Sequence, residues 1–180
     1  LALMLFAEAR RAARRNAAGD YVPLAEQELA LWDGALIDEA ETLLKCAATK
    51  GAVGRYQLEA AVQSAHTTRR LTGRTDWAAI KQLYDALSVV AGSPVVSINR
   101  AVALAEADGA AAGLSALDGL GDDKRLHDYQ PYWAARAGLL ARLGKTREAA
   151  AAYDRAIGLE RDSAVRRFLQ ERRAGLAAEE

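Results

Sequence analysis

The chain has 180 residues, 51% of them hydrophobic, and its 24 lysines and arginines are balanced by 24 aspartates and glutamates. A single cysteine, Cys46, excludes an internal disulfide framework and a cysteine-rich zinc site. Zero net charge gives no argument for a nucleic-acid partner beyond a local patch, and the length suits one domain with a real core.

Only three prolines occur, and Val, Ile and Thr form no alternating runs, so the expectation is all-α. Leu1 to Arg15 reads as a helix, apolar first, with Arg10, Arg11, Arg14 and Arg15 where cations complement the helix dipole. The ordinary reading of that cluster is a solvated helix end; the sharper one is contact with an acidic partner. The stretch Leu1 to Ala7 is too short for a membrane span and lacks signal-peptide flanks, so no membrane partner is expected. Opening without methionine in an apolar helical pattern, the chain reads as a fragment of a longer protein.

Asn16 to Pro23 reads as a turn and a short extended piece. A helix is expected from about Leu24, through Trp32, to Ala48; it is acidic and suited to lie beside the basic end of the first helix. Thr49 to Gly54 breaks the chain. Tyr56 to Thr68 is the next helix, and Leu71 to Thr75 a loop. Asp76 is the expected N-cap of Trp77 to Ala91, whose stripe is Trp77, Ile80, Leu83, Tyr84 and Leu87. Ser93 and Pro94 supply a serine cap and a first-turn proline for Val95 to Ala107. A shorter helix runs from Asp108-Gly109 to about Leu120, and Gly121 to Gln130 is a polar connection.

Tyr132 to Leu159 reads as two helices folded back at Gly144, which stands where a left-handed cap is needed. Ala137, Ala149 and Ala156 allow close approach; Trp133, Leu140 and Tyr153 fill the gaps. This order of large and small residues resembles a tetratricopeptide (TPR) repeat, a helical hairpin of about 34 residues. The unit recurs imperfectly: Asn99-Arg100-Ala101 answers Ala135-Arg136-Ala137, and Gly113 and Leu117 answer Ala149 and Tyr153. A lone hairpin cannot bury its apolar face. The expectation is therefore one domain, 1–180, in a right-handed stack of TPR-like hairpins (an α-α superhelix). Residues 1–50 form an N-terminal helical cap, 56–160 the degenerate hairpins and 163–176 a closing helix. The Arg-rich, Ala/Glu-ended tail of the last helix reads as a solubilising cap.

No reaction chemistry stands out. Gly144-Lys145-Thr146 mimics a phosphate loop, but Leu139 stands where that motif needs glycine, and a helix leads in rather than a strand. His66 and His127 are far apart and have no metal-ligand spacing. Cys46, among Leu43, Leu44 and Ala47, is expected to be buried. His66 reads as a hydrogen-bonded structural histidine. Adjacent acids such as Asp122 and Asp123 do not face each other on a helix. The expectation is a non-enzyme without catalytic residue, cofactor or metal. Asn99 and Arg100 are polar on an otherwise small, apolar helix. One reading is an internal bridge from Arg100 or Arg136 to a neighbouring carboxylate. The other is a groove for a peptide carboxylate, which arginine grips bidentately. The candidate surface is Trp32, Tyr56, Gln57, His66, Asn99, Arg100 and Arg136.

Several stretches together resemble one family: GDYVPLAEQELALWDGALIDEA, GRYQLEAAVQSAH, TDWAAIKQLYDAL, SPVVSINRAVALAE and LLARLGKTREAAAAYDRAI. They are similar, in order and spacing, to the TPR-like C-terminal extension of bacterial extracytoplasmic-function (ECF) RNA polymerase sigma factors. Tyr21 and Pro23 depart from the usual aliphatics, and Arg55 from a common proline. The resemblance implies a cytoplasmic parent protein that binds promoter DNA through upstream domains, sigma regions 2 and 4, which have no counterpart in these residues. The implied role is regulatory, through contact with those domains, RNA polymerase or another regulator. The alternatives are a small-ligand sensor, with a pocket between Trp32, Tyr56, His66 and Asn99, and a dimerisation module.

Overall fold

A computed structural model describes residues 1–176; only the Ala/Glu end of the Arg-rich tail expected to act as a solubilising cap lies outside them. The described residues are helical, with no strand beyond an isolated bridge between Arg15 and Tyr21. Where the sequence suggests one domain, the packing gathers into two compact units, Leu1–Gly92 and Ser93–Glu180.

The first unit holds α1 (Ala2–Ala9), α2 (Gly34–Ala48), α3 (Arg55–Thr67), the single turn α4 (Arg69–Thr72) and α5 (Trp77–Val90). The helix expected over Leu1 to Arg15 is shorter: it ends at Ala9, and a 3-10 turn follows over Ala12–Arg14. The cause is tertiary. The Ala9 carbonyl, which a continuing helix would use, accepts from the Asp33 backbone N–H at 2.9 Å. The expected Leu24–Ala48 helix is also corrected. Leu24–Glu26 and Leu29–Leu31 are 3-10 turns joined by extended residues, and α2 begins only after Asp33, whose carboxylate accepts from Leu36 N–H at 3.1 Å. Buried Gln27 and Trp32 are what the extended segments deliver. The loop expected over Leu71 to Thr75 begins later: Leu71 and Thr72 belong to α4, which Gly73 closes at φ +71°.

α1, α2 and α3 pack on one another, and α5 packs on α3. Their shared core is Phe6, Ala9, Ala13, Trp32, Ile37, Ala40 and Ala60. Ile37 and Ala40 place the inward face of α2, and Leu44 extends it. Cys46 falls on the opposite side and is exposed, which corrects its expected burial: apolar neighbours in sequence lie on several sides of a helix, so they do not mark the inward face.

The second unit holds α6 (Pro94–Asp108), α7 (Ala110–Asp118), α8 (Gln130–Arg142), α9 (Thr146–Leu159) and α10 (Ser163–Gly175). Each packs on the next, and α6 also touches α8. Pro94 opens α6, but the Ser93 side chain makes no capping bond, a correction to its expected role. Gly144 turns the chain at φ +68°, with Gly144 N–H on the Ala141 carbonyl (2.9 Å) and Lys145 N–H on that of Leu140 (3.0 Å). That paired closure needs a left-handed residue, which glycine adopts without strain.

Ala137, Ala149 and Ala156 are fully buried between α8 and α9, beside Leu140 and Tyr153. A leucine buried this way contributes about 1.5–3 kcal/mol. The connection after α7 is less polar than expected. It makes a 3-10 turn at Lys124–Leu126, and Leu126 plugs the core. Trp133 Nε1 and Arg155 both donate to the His127 carbonyl, at 3.0 and 3.1 Å, which pins this segment to α8 and α9.

Candidate functional site

The second unit carries a groove of about 610 Å³. Its floor is α8, where Ala134, Ala135, Gly138 and Ala141 present almost no side chain. Val102 of α6 and Phe168 of α10 stand as apolar walls. Charge sits at the edges: Arg142 pairs with Glu106, and Arg172 lies 5.1 Å over the Phe168 ring. A floor of small residues lets another backbone approach closely, and an apolar bottom between charged rims suits a helix or an extended segment.

Clefts among the described residues of the first unit include the following two. One, of about 410 Å³, opens between α2 and the α3–α4 corner; most of its lining residues are polar, with Asp38, Glu41, Thr42 and Lys45 on α2 and Ser64, Thr67, Thr68 and Arg70 opposite, beside Ile37 and Leu71. The other, of about 520 Å³, lies between α1 and the start of α2.

The seven residues expected to form a binding surface divide between the units. In the first, Trp32 is buried, 7% exposed, and its indole N–H has no partner among the described residues. Arg10 lies 5.9 Å over its ring and also donates to Gln63 Oε1. Burial, and then the charge of Arg14, lowers the guanidinium pKa from its ordinary value. His66, one turn beyond Gln63 on α3, meets Trp77 edge-to-face at 5.4 Å. Packing holds that ring; among the described residues no hydrogen bond does, which corrects its expected tether. Burial, and then Arg10, lowers its pKa to about 4. Arg10 therefore links Trp32 and His66 into one structural cluster. Tyr56 is 71% exposed under Arg55, and Gln57 is half-buried.

In the second unit Asn99 is exposed and Arg100 half-buried on α6. Helical register puts Asn99 on the same face as Val102 and Glu106, a turn before the groove. Arg136 sits on the other side of α8 from the groove floor and pairs with Asp118 of α7. The cleft beside α1 takes Trp32 from the expected set; the groove and the cleft between α2 and the α3–α4 corner take none of it.

The groove floor is a run of small residues on α8 that the sequence pattern, which singled out Ala137 for hairpin packing, does not mark as a surface. The polar cleft is signalled by hydroxyl residues clustering at Ser64, Thr67 and Thr68, but nothing local says that α2 faces them. Among the described residues no group of His, Cys, Asp and Glu is placed to hold a metal ion, and no helix is long and apolar enough to cross a membrane.

Residues 1–48 match the model of a family of unknown function, DUF6596. The chain is 38% identical over 178 residues to "Uncharacterized protein R00370" of Rhizobium meliloti (strain 1021), a match over 99% of this chain. The chain spans 42% of that relative's length. No solved structure matches it.

Proposed function

We propose that the chain is the regulatory C-terminal extension of an ECF-type RNA polymerase sigma factor, a non-catalytic protein-interaction domain of the cytoplasm. Its helix pairs are TPR-like hairpins in a right-handed superhelix. Its partners are the sigma domains upstream of it, RNA polymerase or another regulator, and promoter DNA is left to those upstream domains. The observation that carries the reading is the groove of the second unit, about 610 Å³ with an Ala/Gly floor and charged edges. The five stretches that resemble the sigma-factor extension support it. So does Met4, 70% exposed on α1, which offers apolar surface for a partner to cover.

Two measurements test this. The reading frame upstream of Leu1 is expected to encode two helical domains, the second ending in a basic helix-turn-helix; any other content overturns the sigma-factor reading. In transcription assays with the full-length protein, Gly138→Arg is expected to change promoter output. A Cβ at Gly138 meets nothing within 4 Å, so the new side chain starts in open space and occupies the groove; an unchanged unfolding midpoint checks that the fold is kept. Unchanged output would remove the groove from the mechanism.

A further inference from the structure

We propose that the polar cleft of the first unit binds a small zwitterion of the α-amino-acid class. The site is separate from the groove of the second unit, and its test does not depend on the regulatory reading. The cleft's volume, about 410 Å³, lies in the range of small-molecule sites.

The argument rests on which charges in the lining are satisfied. Arg70 is occupied, paired with Asp38 across the cleft. Glu41, half-buried, accepts only from the Ser64 hydroxyl at 2.5 Å, and no cation pairs with it among the described residues. Lys45, one turn further along the same helix, has no carboxylate partner among them either. One helix face thus presents an unpaired carboxylate and an unpaired ammonium a turn apart, about 5–6 Å between Cβ atoms. Opposite charges at that spacing match a molecule that carries both signs on neighbouring atoms.

The hydroxyls fix the direction. Thr42 donates to the Asp38 carbonyl (2.9 Å), and Thr67 and Thr68 donate to the Ser64 carbonyl (2.8 and 3.2 Å). Their protons are committed, so their oxygens remain as acceptors. Acceptors around Glu41 suit a ligand ammonium with three donors, and Lys45 takes the carboxylate. Charge-assisted bonds of this kind are roughly twice as strong as neutral ones. Leu71, an exposed apolar residue of the lining, favours an apolar side chain; Ile37 is itself buried in the core.

The test is isothermal titration of the full chain with the free L-amino acids, then with the N-acetyl derivative and the methyl ester of the strongest binder. Each blocked form lacks one charge and is expected to bind about tenfold or more weakly. Lys45→Met, at an exposed residue, is expected to weaken the free amino acid about tenfold and leave the methyl ester unaffected. Glu41→Gln should weaken the free amino acid and leave the N-acetyl form unaffected. Should Glu41→Gln not fold, the Lys45→Met comparison decides alone. Absence of binding by every amino acid, blocked forms binding as tightly as the free one, or an unchanged affinity in Lys45→Met would each overturn the proposal.

Discussion

Gly113 of α7 lies so close to Ala105 of α6 that a Cβ on it would stand 2.4 Å from the Ala105 Cβ and 2.7 Å from the Ala101 carbonyl oxygen. Both are shorter than any real contact, and the second obstacle is backbone, which cannot rotate away. Gly113→Ala is therefore expected to destabilise the protein by about 1–2 kcal/mol. Overpacking of about 1–3 kcal/mol outweighs a gain in helix propensity of under about 1 kcal/mol. Gly138→Ala is the control: its Cβ meets nothing within 4 Å, so propensity alone acts and stability rises slightly. Urea unfolding midpoints measure both, and equal shifts in the two variants would refute the α6–α7 contact.

Helix caps separate residues that merely stand at a helix start from those that bond there. The Asp76 carboxylate accepts from the Ala79 N–H at 2.9 Å, whereas the Ser93 side chain caps nothing. Asp76→Ala is expected to cost about 1 kcal/mol, and Ser93→Ala to lie within about 0.5 kcal/mol of zero. Thermal or denaturant melts of the two variants check the difference.

Local chemistry was readable from the sequence wherever it acts within a few residues. Gly144 as a left-handed cap, Asp76 as an N-cap and Pro94 in a first turn are set by neighbouring backbone groups alone. The errors fall where distant chain decides. Nothing near Ala9 announces that the Asp33 N–H will take its carbonyl, and burial of Trp32 and Gln27 overrides an apparently helical run. The Asp33-Gly34 pair is a start signal masked by the amphipathic pattern around it. The site followed the same division. Trp32 and His66 attract notice because they are large and chemically able, yet Trp32 is buried in the core of the first unit and His66 packs against Trp77. Glu41 and Lys45 look like ordinary surface charges until α3 is set opposite them.

Arg136 and Asp118 tie α8 to α7, and their worth follows from exposure. The Arg136 side chain is 24% exposed and that of Asp118 53%, so water screens much of the attraction. A double-mutant cycle with Arg136→Met and Asp118→Asn is expected to give a coupling of about 0.5–1 kcal/mol. The coupling should shrink as salt is added. Since Arg136 faces away from the groove floor, the same variants should leave groove binding unaltered. A large loss of partner binding in Arg136→Met would return that residue to the functional surface.

His66 should make stability depend on pH in a defined window. Unfolded, its pKa is near 6.5; folded, burial and then Arg10 hold it at about 4. Above pH 6.5 the ring is neutral in both states and contributes no slope. Between 6.5 and about 4 the unfolded chain binds a proton that the folded chain refuses, so stability falls as pH falls. Below about 4 both states are protonated and the loss is complete, on the order of 2–3 kcal/mol. Carboxylates titrate in the same window, so the measurement is a difference. Denaturant stabilities of the parent protein and His66→Gln, taken across that range, should diverge as pH is lowered. A parallel pair of curves would mean that His66 titrates alike in both states, and that neither burial nor Arg10 acts on its ring.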